Sequence, residues 1–154
     1  MTDPILMTPV GYVRATRRAA DDDGWDAVAA RIELDPEQFQ SDALEGLEAF
    51  SHVEVLFYFH AAKAMPETGA RIPRGNPAWP RVGIFAQRAK DRPNHIGATV
   101  CRVLSVHGTS LEISGLDAID GTPVLDIKPV MKDFLPRDDV REPAWAGELM
   151  QRYW

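Results

Sequence analysis

The sequence predicts a mainly β fold, a small barrel with short helices and a C-terminal helix. Two observations lead there. Six or so short apolar runs alternate with polar positions at period two, and turn residues separate them. The chain also lacks both the strand–helix–strand rhythm of a parallel sheet and any Gly-x-Gly pattern of a doubly wound nucleotide fold.

The elements follow in order. Thr8–Arg14 reads as a first strand and residues 19–26 as an acidic loop. Ala30–Leu34 is a short strand. Ser41–Glu48 is read as a one- or two-turn helix, capped by Ser41 and with an apolar edge at Leu44 and Leu47. Ser51–His60 is the clearest strand. Val53, Val55, Phe57 and Phe59 fall on one face, while His52, Glu54, Tyr58 and His60 fall on the other. Residues 61–80 form a long proline-containing loop, a length that usually marks function or mobility. Arg81–Ala86 is a short strand. Gly97–His107 and Ser110–Leu116 make a hairpin, and Val124–Lys128 is the last strand. Pro143 starts a terminal helix over Ala144–Tyr153, whose apolar face docks on its own barrel or on a second subunit.

At 154 residues, with 45% hydrophobic composition, the chain is expected to be a single domain over 1–154 that buries its core without staples. Its one cysteine, Cys101, excludes an internal disulfide and a multi-thiolate zinc site, and reads as a half-buried structural thiol. His52 and His60 share a face but lie more than about 20 Å apart along a strand, so no metal site is expected. Met1–Val10 lacks a basic stretch followed by a long apolar run, and no window has the length of a membrane span. A cytoplasmic, soluble protein is expected.

The net charge of −6 is unevenly spread. Residues 71–92 hold six basic residues and one acidic residue, a balance of +5, and the remainder holds 11 basic and 22 acidic residues, a balance of −11. A basic segment on an acidic protein suggests an anionic partner there. Gln87, Arg88, Lys90, Asp91, Arg92, Asn94 and His95 crowd one loop between strands. In the Asp117–Pro123 loop, Asp117 and Asp120 bracket a turn and Asp120-Gly121 is a turn signal. The working site is placed in these two loops, Arg88–Gly97 and Asp117–Pro123, because rigid scaffolds concentrate binding residues on loops.

At GYVR (11–14), ALEGLEAFSHVEVLFYFH (43–60), GIFAQRAKDRPNHIG (83–97) and GLDAIDGTPVLDIKP (115–129) the sequence resembles the TrmO-like (TsaA-like) family of S-adenosylmethionine-dependent methyltransferases, in a short form without an extra C-terminal domain. The resemblance implies a β-barrel methyltransferase acting as a homodimer, with S-adenosyl-L-methionine bound near the interface. It also implies N6-methylation of threonylcarbamoyladenosine beside a tRNA anticodon. A small-molecule methyl acceptor and a non-catalytic ligand-binding module stay open. Carried onto this chain, the resemblance assigns cofactor contacts to His60, Ala61, Arg88, Ala98, Asp117, Asp120, Gly121 and Thr122. It places Arg92 and Asn94 in the signature loop, as substrate contacts. A base for the acceptor proton would come from His95, Asp120 or His60. The family's usual Pro-Arg-Gln after the first strand is replaced here by the acidic Asp21–Trp25. Its usual Ala-Thr-Arg-Ser and Pro-Asn-Pro-Ile-Gly become Ala86-Gln87-Arg88-Ala89 and Pro93-Asn94-His95-Ile96-Gly97.

Overall fold

The computed structural model describes residues 2–154. Six antiparallel strands close a barrel: β1 (Gly11–Ala15), β2 (Ala29–Leu34), β3 (His52–Tyr58), β6 (Ile96–His107), β7 (Ser110–Ser114) and β8 (Pro123–Pro129). Their order around the barrel is β1-β2-β7-β6-β3-β8. Between β3 and β6 lie the two-residue strands β4 (Ala70–Arg71) and β5 (Val82–Gly83), which pair with each other outside the barrel. One α-helix, α1 (Ala144–Met150), follows.

Alternation sets the core. Val13, Ile32, Val53, Val55, Phe57, Leu111, Ile113 and Val124 all point inward and are essentially inaccessible to solvent. Each such side chain contributes roughly 1.5–3 kcal/mol when buried. Two register shifts, at Leu56/Phe57 between β3 and β8 and at Val103/Ser105 between β6 and β7, bend the longer strands around the small circumference. Closure comes from β1, which pairs with β2 along its length and with β8 at Gly11 and Tyr12.

Several sequence expectations change. The first strand begins at Gly11 rather than Thr8. The helix expected over Ser41–Glu48 is a run of turns ending in a 3-10 turn at Leu47–Ala49, because Gly46 sits at φ 94°, where a right-handed helix cannot continue. Leu44 is nonetheless buried, as its apolar edge implied. The Arg81–Ala86 strand shrinks to β5 followed by a 3-10 turn over Ile84–Ala86. The terminal helix stops at Met150 and the chain continues as a turn.

Cys101 is fully buried rather than half-buried, and its thiol donates to the Val53 carbonyl at 3.7 Å. Burial, then the negative charge of Asp117, pushes its pKa from 9.0 up to about 12. The thiol is therefore expected to resist alkylation at pH 8 in the folded protein and to label within minutes in denaturant, as mass spectrometry would show. Its contribution to stability is intact below pH 9, the unfolded-state value, and is lost as the pH rises toward 12, because only the unfolded chain can release the proton there.

Candidate cofactor cleft

The β3–β6 pairing brings the first pieces of the site together. Leu56 opposes Ala98 and Val55 opposes Thr99, so the residues leaving β3, His60 and Ala61, lie beside the start of β6. The amide of Phe59 donates to the His95 carbonyl at 2.8 Å and fixes that exit.

The basic loop is braced from within. Gln87 is buried, and its amide donates to the carbonyls of Arg71 and Val82 at 3.2 and 2.9 Å. Buried Asp91 faces Arg71 at 3.6 Å and Lys63 at 3.9 Å. Arg88 reaches across to donate to the Ala98 carbonyl at 2.5 Å, and Arg92 donates to the Gln87 carbonyl at 2.6 Å. A polar loop with its own hydrogen bonds satisfied is held rigid, the condition for aiming side chains at a ligand.

The 117–122 turn is stitched to β1. Gly121 donates to the Val13 carbonyl, Asp120 to the Arg17 carbonyl, and Asp120 Oδ1 accepts from the Ala15 amide at 3.0 Å. Asp117 is turned the other way. Its Oδ1 accepts from buried Thr99 at 2.5 Å and its Oδ2 accepts from the Tyr153 hydroxyl.

One cleft of about 1370 Å³ collects these groups. His60, Ala61, Arg88, Arg92, Ala98, Asp117 and Thr122 all line it. Asp120, Gly121, Asn94 and His95 are not among its lining residues. The first two are engaged by β1. His95 is buried, packs edge-on to Tyr58 at 5.9 Å between ring centres, and leaves Nε2 without a partner. Asn94 and His95 both sit at positive φ, 63° and 50°. A proline at position 95 could not adopt that φ.

Sequence reasoning missed three parts of the cleft. Thr99 belongs to a strand and carried no motif, and Phe57 was read only as core. The acidic loop covers one side: Arg17 donates to the carbonyls of Asp21, Asp23 and Gly24 and stacks on Trp25 at 3.5 Å, and Arg74 pairs with Asp23 at 3.2 Å. The tail supplies the third part, through Trp145, Leu149, Met150, Tyr153 and Trp154. Helix α1 is tied to the long loop through Trp79 and Glu148, and none of its residues is fully buried.

A family model described as the tRNA-methyltransferase O N-terminal domain matches residues 16–134. The chain belongs to this family. Within it, this chain is 45% identical over 149 residues to RcsF of Pseudomonas aeruginosa, whose name assigns it provisionally to the S-adenosylmethionine-dependent methyltransferases; the match covers 92% of this chain and 62% of RcsF. It is 36% identical to the human tRNA (adenine(37)-N6)-methyltransferase, covering 92% of this chain and 34% of that enzyme. A crystal structure of TrmO from Pseudomonas aeruginosa superposes with a TM-score of 0.76 at 35% identity, covering 94% of this chain and 63% of the other. The chain thus spans less than two thirds of each of these relatives. No helix among the described residues is long and apolar enough to cross a membrane.

Proposed function

We propose that this protein is an S-adenosylmethionine-dependent methyltransferase that acts on an adenine nitrogen of tRNA. The observation that carries the reading is the convergence of His60–Ala61, Arg88, Ala98, Asp117 and Thr122, from four separate stretches of chain, on one cleft. The relatives' names point to the same chemistry.

The residues present fit the cofactor. Arg88 has a fork of donors for a carboxylate. Asp117 retains acceptor capacity for a ribose hydroxyl or an amino group. Phe59 gives the cleft an apolar side for an adenine or a thioether chain. When bound, S-adenosylmethionine supplies a methyl group activated by a sulfonium charge. The chain's part is to hold acceptor and methyl in line and exclude water, a proximity effect that can supply most of the rate. The acceptor nitrogen loses a proton as its bond to carbon forms. Of the three candidate bases only His60 lines the cleft, so His60 is assigned that proton.

The basic segment 71–92 supports a polyanionic substrate, since Arg71, Arg74, Arg88, Lys90 and Arg92 all reach the same cleft. A homodimer is supported by exposed Val100 and Leu104 on the outer face of β6. A tRNA substrate supports a cytoplasmic location.

Calorimetric titration with S-adenosylmethionine tests the reading. Micromolar binding is expected, and Arg88→Ala is expected to weaken it by about tenfold to hundredfold through loss of charge-assisted hydrogen bonds. The next step is methyl transfer to tRNA lacking only this methyl group. Absence of binding by the folded wild-type protein would overturn the cofactor assignment.

A further inference from the structure

The segment that ends the chain lies beyond the 16–134 stretch matched by the family model, yet it lines the cleft. It is fixed at three points. Trp79 Nε1 donates to Glu148 at 2.8 Å. The amides of Gly24 and Trp25 donate to the carbonyls of Arg152 and Tyr153 at 3.0 and 2.8 Å. These last two bonds hold the backbone of the tail against the acidic loop, so the Tyr153 side chain enters the cleft from a defined place.

Inside, the Tyr153 hydroxyl donates to one oxygen of Asp117 while Thr99 donates to the other. Two donors on two oxygens fix the rotation of the carboxylate. Each oxygen keeps a further lone pair, since an ionised carboxylate offers about four acceptor sites. Burial, and then Asp117 itself, raises the phenol's pKa far above its usual value, so it remains a donor across the neutral range.

The tail is a wall and not a plug. With Tyr153 and Trp154 in place the cleft still encloses about 1370 Å³. That exceeds the roughly 300–1,000 Å³ usual for small-molecule pockets.

We infer that Tyr153 is a positioning residue of the cofactor site, holding the Asp117 carboxylate so that its free lone pairs face the S-adenosylmethionine ribose or amino group. This inference rests on the cofactor reading above. Its role is pre-organisation: the ligand meets an acceptor already oriented.

The test is calorimetry with S-adenosylmethionine on the full chain, comparing wild type with Tyr153→Phe, Asp117→Asn and the Asp117→Asn/Tyr153→Phe pair. Thermal melts confirm that each variant is folded. Tyr153→Phe, which removes only the hydroxyl, is expected to weaken binding about tenfold. In the Asp117→Asn background, Tyr153→Phe is expected to add less than twofold, because the two residues act through one contact. In turnover, Tyr153→Phe is expected to raise the KM for S-adenosylmethionine while kcat stays within about twofold. Unchanged affinity in Tyr153→Phe would overturn the inference while the cofactor reading stands. Tighter binding would also overturn it, by showing that the tail competes with the ligand. Additive losses in the double variant would overturn it too, and so would absence of binding by wild type, which removes the cofactor reading as well.

Discussion

Gly11→Ala is expected to destabilise the protein by about 3 kcal/mol, at the upper end of over-packing effects. A Cβ at Gly11 would lie 2.2 Å from the carbonyl oxygen of Glu33 and 2.9 Å from Leu34 Cα. Both obstacles are backbone of β2, so no side-chain rotation relieves the clash. The strand cannot slide away cheaply either, because Gly11 also pairs with Val124 and the barrel closes through β1. Urea unfolding would show the loss as a lower midpoint with an unchanged slope. Gly83→Ala is the control: nothing lies within 4 Å of its Cβ position, and a change within about 0.5 kcal/mol is expected. Equal midpoints for the two variants would show that β1 and β2 separate more easily than their packing indicates.

Asp117→Ala is expected to weaken S-adenosylmethionine binding by about a hundredfold. The substitution removes an acceptor for the ligand and leaves two protein donors, Thr99 and Tyr153, without their partner. Such unpaired groups cost about 1–3 kcal/mol each when dry. Stability should fall as well, so the melting temperature is measured beside the titration. Affinity within about threefold of wild type in the folded variant would remove Asp117 from the binding site.

The strands were legible because period-two alternation is a local signal that burial reproduces. Val53, Val55 and Phe57 were read as core and are core. The basic loop was legible as a loop because charge and proline crowd it. What the loop's residues do was not, because that depends on the other side of the barrel. Asp120 and Gly121 carry an obvious turn signal, but only tertiary pairing with β1 shows their hydrogen bonds engaged there. Asp117 lies three residues earlier and faces the cleft. No local rule separates the two aspartates. The positive φ of His95 gave no sign in a sequence that reads Asn94-His95. Tyr153 was recognised only as part of an apolar terminal face. Its contact with Asp117 spans 36 residues, beyond any periodicity. The Ser41–Glu48 helix failed for a visible reason, the glycine inside it.

The pairing of β1 with β8, and of residues 24–25 with 152–153, also governs when the molecule can exist. Such sequence-distant contacts place the protein among slow folders, in the millisecond-to-second range once the whole chain is present. During synthesis the delay is longer. At a translation rate of about 5–20 residues per second, the 109 residues from Thr16 to Val124 take roughly 5–20 s to appear, and one edge of β1 stays open throughout. An open strand edge is a template for pairing with other chains. The nascent protein therefore passes through a window of aggregation risk that closes only when its last strand arrives, and the cleft takes its final shape after that.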